Sequence, residues 1–329
     1  MRVDVIDDIK TLAALRVNWE AVYEADPEAQ VFLSWPWMSR WLGVLKAPWS
    51  VLAARPDGSP DYAAFFPLSL QTKEREAGGF HCDVAMGGNY AADYTGFLCR
   101  PELEAEAIPA LAERIKALHW SNLRVEYLRA SDRRAGLFLQ AFPAPAFGST
   151  ELDRINPDKV DNSICPYAPL PGDWDAYLAG LSANTRQKIR RLLRQLDGSD
   201  EFRITHADGE TIARDLETLM RFWTDQWGTR KGKNLSAIQR QSRVMLRHSF
   251  DDGTLLLPVL WQGERPAGAL AILVDAVKRT CSFYIGGRDA AFEGPPAGLM
   301  LHAHAIRHAV GCGMNTYDFL RGNEPYKYS

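Results

Sequence analysis

Apolar positions in the first part of the chain recur first at helical and then at strand spacing. Ile9, Leu12, Leu15, Trp19 and Val22 lie three or four residues apart, which predicts a helix over 8–25. In “FLSWPWMSRWL”, Ser34 can cap a helix and Pro36 lies in its first turn. Trp37, Met38, Trp41 and Leu42 then form the apolar side. These tryptophans could stack on a sugar or a base, but at helical spacing core packing is the stronger expectation. Two strand-like runs, 51–54 and 62–70, flank the turn-rich “RPDGSPD” and read as a hairpin. “MGGNYAADYTGFLC” becomes strand-like from Tyr94. Asp93 and Tyr94 could face a ligand, although a turn-forming Asp93 is the plainer reading. Residues 101–118 read as helix, “NLRVEYL” as strand and 132–142 as helix. “NPDKVDNSICPYAPLPGD” is dense in turn formers and is the expected inter-domain passage, dividing the chain into 1–160 and 161–329.

In the second half Asp173 can cap a short helix. “LSANTRQKIRRLLRQL” puts Ile189, Leu192, Leu193 and Leu196 on one helical face. Arg186, Arg190, Arg191 and Arg194 spread over the other, with Lys188 on the flank and no acid within the helix to neutralise them. Such a face either docks phosphates or an acidic carrier protein, or is solvated and paired with acids elsewhere. Residues 211–226 read as helix on Ile212, Leu216, Leu219, Phe222 and Trp223. “WGTRKGKNLS” then reads as a mobile basic loop holding Arg230, Lys231 and Lys233, before Ser236 caps a helix to about His248. “TLLLPVLW” and “AGALAILV”, joined by “QGERP”, read as a hairpin, and 280–285 as a further strand. The Gly/Pro-rich “RDAAFEGPPAG”, the helical “LMLHAHAIRHAV” and the strand-like, polar-ended “NTYDFLRGNEPYK” follow. Each half thus runs helices, hairpin, strand, helix, strand. The pattern suggests two copies of one α/β (α+β) unit, the first without the polar ending.

With 329 residues, about two domains is the prior. A formal charge of -3 gives no general pull toward nucleic acid or anionic membrane. No apolar run is long enough to cross a membrane, and the acidic “MRVDVIDDIK” is not a secretory signal. The 5 cysteines are scattered, with no C-x-x-C pair. A reducing cytoplasm without disulfides or a zinc knuckle is therefore expected.

Chemistry concentrates near the C-terminus. A strand–loop–helix–strand order places a helix N-terminus and a strand end beside one crevice, where α/β proteins bind ligands. Leu299, Ala303, Ile306 and Val310 form the helix’s expected buried stripe, with His304 and His308 on the opposite face and Cys312 extending their row. That spacing can bind a metal. Without an H-E-x-x-H glutamate, and with Gly311 in the last turn, surface histidines and no metal are expected. Gly294 and Gly298 permit close backbone approach to a phosphate and Arg288 could add a charge-assisted contact, whereas Pro295 and Pro296 have no N–H to give. In “YDFLRGNEPYK”, Tyr317 and Phe319 share one strand face and Asp318 points to the other. Arg321, Glu324, Tyr326 and Lys327 follow. A carboxylate there can act as general base, with a tyrosine or lysine as acid or anion clamp. Alternatively, Asp318 pairs with Arg321 or caps a turn and only holds the loop.

The chain resembles the GNAT-superfamily acyltransferases associated with cellulose biosynthesis, relatives of the Fem-type peptidyltransferases. The resemblance spans nearly the whole chain, through “FLSWPWMSRWL”, “LSANTRQKIRRLLRQL”, “FWTDQWGTRKG”, “LLLPVLWQGERPAGALAIL”, “FYIGG”, “GPPAGLML” and “GMNTYDFLRGNEPYK”. Its most specific part is Asp318, Phe319 and Gly322 followed by Tyr326 and Lys327. It implies tandem GNAT-like domains, each a central mixed sheet flanked by helices, the first degenerate and the second holding the acyl donor. The donor’s pantetheine would lie between splayed strands at 280–285 and 316–319, its pyrophosphate at the helix N-terminus near Gly298. Acetyl-CoA or another acyl-CoA is implied as co-substrate, with no permanently bound cofactor. Donor contacts fall to Arg288, Gly294, Gly298 and Leu299. Catalysis falls to Asp318, Tyr284 and Tyr326, and substrate contacts to Trp227, Arg230, Lys231, Arg321 and Lys327. The family’s Ser-Pro-Gly reads Pro296-Ala297-Gly298 here, and the superfamily’s Gln/Arg-x-x-Gly-x-Gly/Ala loop is not intact. Acyl-carrier protein, or aminoacyl-tRNA as in Fem-type enzymes, are therefore alternative donors, and a non-catalytic binding protein is a further alternative. The acceptor would be a small molecule or glycan precursor. The family continues beyond “YKYS” through another helix and strand, so the chain is expected to be short or to lack the site’s far wall.

Overall fold

The computed structural model describes residues 1–328 other than 75, 77, 90 and 199, and leaves aside the side chain of Lys233. The chain divides into two compact units, Met1–Arg154 and Ile155–Ser329, a few residues before the expected boundary.

The strands of the first unit are β1 (Arg2–Ile6), β2 (Trp49–Arg55), β3 (Ala64–Glu74), β4 (Phe80–Met86), β5 (Leu98–Cys99) and β6 (Asn122–Arg124). They lie in the order β1-β2-β3-β4-β6, with β5 paired to β3. Neighbours are antiparallel except for the parallel pair β4 and β6. The expected helix over 8–25 is broken at Leu15 into α1 (Ile9–Ala14) and α2 (Arg16–Ala25). α3 (Trp35–Val44) is capped by Ser34, and its Trp37, Met38, Trp41 and Leu42 are all buried. α4 (Glu104–Lys116) and α5 (Asp132–Leu139) complete the unit. Sequence periodicity misses β4, because its first half carries the half-exposed His81 and Cys82.

The second unit contains β7 (Tyr167–Pro169), α6 (Trp174–Gly180), α7 (Ala183–Asp197), β8 (Phe202–His206), α8 (Ile212–Lys231) and α9 (Leu235–Asp251). β9 (Leu255–Leu256), β10 (Pro258–Gln262), β11 (Arg265–Asp275), β12 (Thr280–Arg288), α10 (Ala297–Gly311) and β13 (Thr316–Asp318) follow. Its sheet runs β7-β13-β12-β11-β10-β8, with β9 paired to β11. From β8 to β13 the strand senses repeat those of β1 to β6, including one parallel pair, β12 and β13. The echo in the sequence is therefore an echo in topology.

Two expectations are corrected. Residues 156–173 are not a linker but part of the second unit. Tyr167–Pro169 pairs with β13, Phe319 N–H donates to Pro166 O at 2.9 Å, and Gly322 N–H donates to Ile164 O at 2.8 Å. Turn-forming composition marks irregular backbone, and irregular backbone can still fill an open sheet edge. The strand beyond β13 is thus supplied from upstream in the chain.

The expected basic loop is also largely helix. α8 continues through Arg230 to Lys231, and Gly232, at φ +52°, ends it just before α9. A glycine inside a helix costs about 1 kcal/mol. A Cβ on Gly228 would lie 3.3 Å from Thr224 Cγ2 and 3.4 Å from Leu235, so Leu235 packs close against this turn of α8. The side chain of Lys233 lies outside the described residues.

α8 packs on β11 and β12 from one face of the sheet. α10 packs on β10, β11 and β12 from the other and is itself covered by α6 and α7. This burial on two sides explains why α10 is apolar well beyond the expected stripe, with Ala297, Met300, Leu301, Ala305 and Ala309 also buried.

Candidate active site at the fork between two parallel strands

β12 and β13 pair only from Thr280–Thr316 to Ser282–Asp318. β12 then continues to Arg288 along β11, whereas β13 ends. From Phe283 onward the outer edge of β12 has no strand beside it among the described residues, so the two strands form a fork. The register against β11 shifts between Ala271 and Ile272, leaving Tyr284 as the extra residue of a bulge. A bulge releases backbone groups from the ladder and re-aims them. Gly287 is needed for packing, because a Cβ there would lie 2.7 Å from the backbone of Phe222. α8 can approach the strand closely only without it.

α10 begins at the wide end of the fork. Pro296 is its N-cap, and no acidic residue lies in its first turn. The first N–H groups of a helix have no intrahelical acceptor, so the amides of Ala297, Gly298 and Leu299 are available to an anion. Pro295 and Pro296 precede these donors and do not replace them. A Cβ at Gly298 would meet nothing within 4 Å, so the approach is open. Leu299 is partly buried against the core and can offer only its amide outward. Arg288, the last residue of β12, and Gly294, on the loop between strand and helix, are both exposed.

Asp318 is 5% exposed at the narrow end. Its Oδ1 accepts the Leu320 N–H at 2.8 Å, holding a turn in which Leu320 takes φ +60°. Gly322 follows at φ +103°, where a Cβ would strike the Glu324 carboxylate. Lys327 is committed locally: its Nζ donates to the carbonyls of Arg321 at 2.6 Å and Gly322 at 3.1 Å and lies 2.9 Å from Glu324 Oε2. It therefore holds the 321–324 loop. Tyr326 is exposed, and Tyr284 and Arg321 are partly exposed.

Sequence reasoning missed His302. Its ring lies 4.6 Å from that of Phe283, edge-on, 5.9 Å from Tyr317 and 5.3 Å from Phe319. It thus sits beneath the fork, where β12 and β13 part. Its Nδ1 is 3.0 Å from the Tyr317 hydroxyl. Burial, with the Lys327 ammonium as the lesser cause, lowers its pKa to about 4, so it is neutral at pH 7. Burial raises the Tyr317 phenol well above its usual value. The available signal was the LMLHAHA spacing, which puts His302 one position from Leu301 and Ala303 on a helix expected to be buried on one side only.

The other residues singled out by the sequence lie on α7, α8 and α10. Arg230 pairs with Asp158 at 3.1 Å and stacks over Trp227 at 5.0 Å, while Lys231 is exposed at the end of α8. His304 is not a surface residue. It is partly buried, with Nε2 2.8 Å from Nε2 of His206 on β8, while His308 is exposed and its ring lies 5.0 Å from His206. Among the described residues no group of three or more His, Cys, Asp or Glu side chains is placed to hold a metal. Arg186, Lys188, Arg190, Arg191 and Arg194 make no ion pair among the described residues. Arg186 and Arg194 donate instead to backbone carbonyls of Ala179 and Arg190. Among the described residues no helix is long and apolar enough to cross a membrane.

In the first unit the equivalent position is closed. Past the parallel register Asp83–Asn122 to Ala85–Arg124, the chain returns and Thr95 pairs in parallel with Leu128. Thr95 N–H donates to Tyr127 O at 2.9 Å, and Arg129 N–H to Thr95 O at 3.0 Å. The edge left open in the second unit is here taken up by the unit’s own backbone.

Residues 183–328 match the family model of the acetyltransferase (GNAT) domain. This match to a GNAT-type acetyltransferase domain falls wholly within the second unit. Fork, bulge and α10 all lie within this GNAT-type region. The whole chain is similar in fold to the crystal structure of FemX, with TM-score 0.61 and 13% identity over 100% of this chain and 91% of that one. A conserved protein of unknown function from Bacteroides thetaiotaomicron aligns with TM-score 0.58 and 13% identity over 99% and 93% of the two chains. A tandem GNAT protein from the clavulanic acid biosynthesis pathway aligns with TM-score 0.50 and 10% identity over 99% and 92%. Both units therefore fall within a shared tandem fold. No curated protein matches the chain in sequence.

Proposed function

We propose that the protein transfers an acyl group, with acetyl the first choice, from acyl-CoA to an amine or hydroxyl of a glycan precursor. The observation that carries this reading is the fork: an edge of β12 with no strand beside it among the described residues, running from a bulge to the N-terminal amides of α10. Amide groups of an extended pantetheine arm suit a strand edge, and a pyrophosphate suits the helix N-terminus. The acceptor nitrogen or oxygen would attack the thioester carbonyl directly. Its proton would pass to Asp318 or a water held there, the C–S bond would break, and Tyr284 or Tyr326 would protonate the departing thiolate. Backbone amides lining the fork would face the developing oxyanion.

The unpaired cationic face of α7 supports a second reading, an aminoacyltransferase that uses aminoacyl-tRNA in the Fem-type manner. One experiment separates the two. Acetyl-CoA at about 100 times its dissociation constant should stabilise the folded protein by about 2.7 kcal/mol in thermal melts. No shift with acetyl-CoA or longer acyl-CoAs, together with tight tRNA binding that weakens steeply with salt, would replace the first reading by the second. No response to either leaves a binding protein without transfer activity.

A further inference from the structure

We infer that His302 donates a hydrogen bond from Nε2 to the thioester carbonyl oxygen, and that Tyr317 fixes the imidazole tautomer that makes this possible. This rests on the acyl-CoA reading of the fork. The Tyr317 side chain is fully buried, and a buried hydroxyl must donate its proton or bear a desolvation cost. Among the described residues its only hydrogen-bond partner is Nδ1 of His302, at 3.0 Å. The phenol must therefore be the donor and Nδ1 the acceptor. A neutral imidazole carries one proton, so it sits on Nε2. Among the described residues Nε2 has no acceptor. The ring is held edge-on to Phe283, the first residue of β12 beyond the paired segment, and beside Phe319, the first beyond β13. A donor that lacks an acceptor thus stands where the two strands part.

The chemistry of this group selects its ligand. A neutral N–H donor in an apolar, aromatic setting favours a carbonyl oxygen that gains negative charge as it is attacked. It neither protonates the thiolate nor attracts a phosphate. His302 therefore acts on the oxyanion, and Tyr317 acts as a positioning residue through it. Neither takes a proton from the acceptor, so this role does not depend on which residue is the base.

Two ligands test the inference: acetyl-CoA, and S-ethyl-CoA, in which a methylene replaces the carbonyl. The wild-type protein should bind acetyl-CoA about fivefold more tightly by calorimetry, the worth of one net hydrogen bond. His302→Leu should abolish this preference and lower kcat about 100-fold, the usual loss for one oxyanion donor, with KM for the acceptor unchanged. His302→Gln, whose amide nitrogen can occupy the Nε2 position, should retain the preference. Tyr317→Phe removes one oxygen from the core without adding volume. It should reduce both the preference and kcat while leaving the affinity for S-ethyl-CoA unchanged. Equal affinities for the two ligands in the wild type, or an unchanged ratio and kcat in both His302→Leu and Tyr317→Phe, overturn the inference and leave the donor reading standing. Failure of the wild type to bind either ligand overturns both.

Discussion

Asp318 can be asked which of two roles it plays, because asparagine separates them. Its Oδ1 holds the Leu320 N–H at 2.8 Å, inside a turn that places a buried leucine at φ +60°. Asparagine retains an oxygen at that position, so Asp318→Asn keeps the turn and removes only charge and basicity. A hydrogen bond to a charged acceptor contributes about 1.5–3 kcal/mol and a neutral one about 0.5–1.5, so Asp318→Asn should cost about 1 kcal/mol. Asp318→Ala removes the acceptor and leaves the Leu320 amide buried without a partner, at about 1–3 kcal/mol. It also releases a contact that holds a left-handed leucine, whose conformation costs about 1–2 kcal/mol. Urea melts should therefore rank wild type, Asn and Ala in falling stability. Release of free thiol from acetyl-CoA, followed with an amine acceptor, should fall about 100-fold or more in the Asn variant if Asp318 takes the acceptor’s proton. Near-normal turnover in a folded Asp318→Asn protein would reduce Asp318 to a turn-holder. Equal stability of the Asn and Ala variants would refute the turn argument itself.

Stability should also report the histidines of α10. Burial first, then neighbouring charge, lowers both His302 and His304 to about 4. The unfolded chain binds their protons near 6.5. The unfolded state therefore carries more protons between these values. This stabilisation is complete above about pH 6.5 and is lost as pH falls toward 4, at up to about 1.4 kcal/mol per pH unit for each ring. Carboxylates held below their usual value, such as Asp83 and Asp197, act at lower pH. Urea melts from pH 7 to 4.5 should slope accordingly, and His302→Gln with His304→Gln should flatten the slope; a flat wild-type profile would refute the assignment. In the first unit, Arg134 is 1% exposed between Asp26 at 2.9 Å and Glu104 at 2.7 Å. Arg134→Met would leave buried Asp26 without its cation and Glu104 with Arg133 alone, and should cost about 3–5 kcal/mol in a urea melt, with partial recovery on adding Asp26→Asn and Glu104→Gln. A loss below about 1 kcal/mol would show that the carboxylates find other partners.

Much of this protein was legible in its pattern of apolar positions. Helical spacing located α3, α4, α7 and α10. The alternation and turn residues around “RPDGSPD” and “QGERP” located the hairpins at the centre of each sheet. The repeated order of elements anticipated two units of one topology, because periodicity and turn chemistry are local and each segment carries them alone. The position of the crevice was legible for the same reason, being set by a strand, a helix start and a strand that are near neighbours in sequence.

What could not be read locally is what depends on a distant partner. Residues 156–173 look like a linker until β13 offers them an edge. “WGTRKG” looks like a loop until Leu235 packs against Gly228. His302 looks like one more polar residue on a helix surface until Phe283, Tyr317 and Phe319 close around it. The sequence determined that a carboxylate stands at the end of β13. Only the tertiary structure decided that it holds the Leu320 amide, and that the neutral imidazole beneath the fork has a donor with no acceptor among the described residues. Side-chain type is a property of the chain, but burial, tautomer and hydrogen-bond satisfaction belong to the packed molecule.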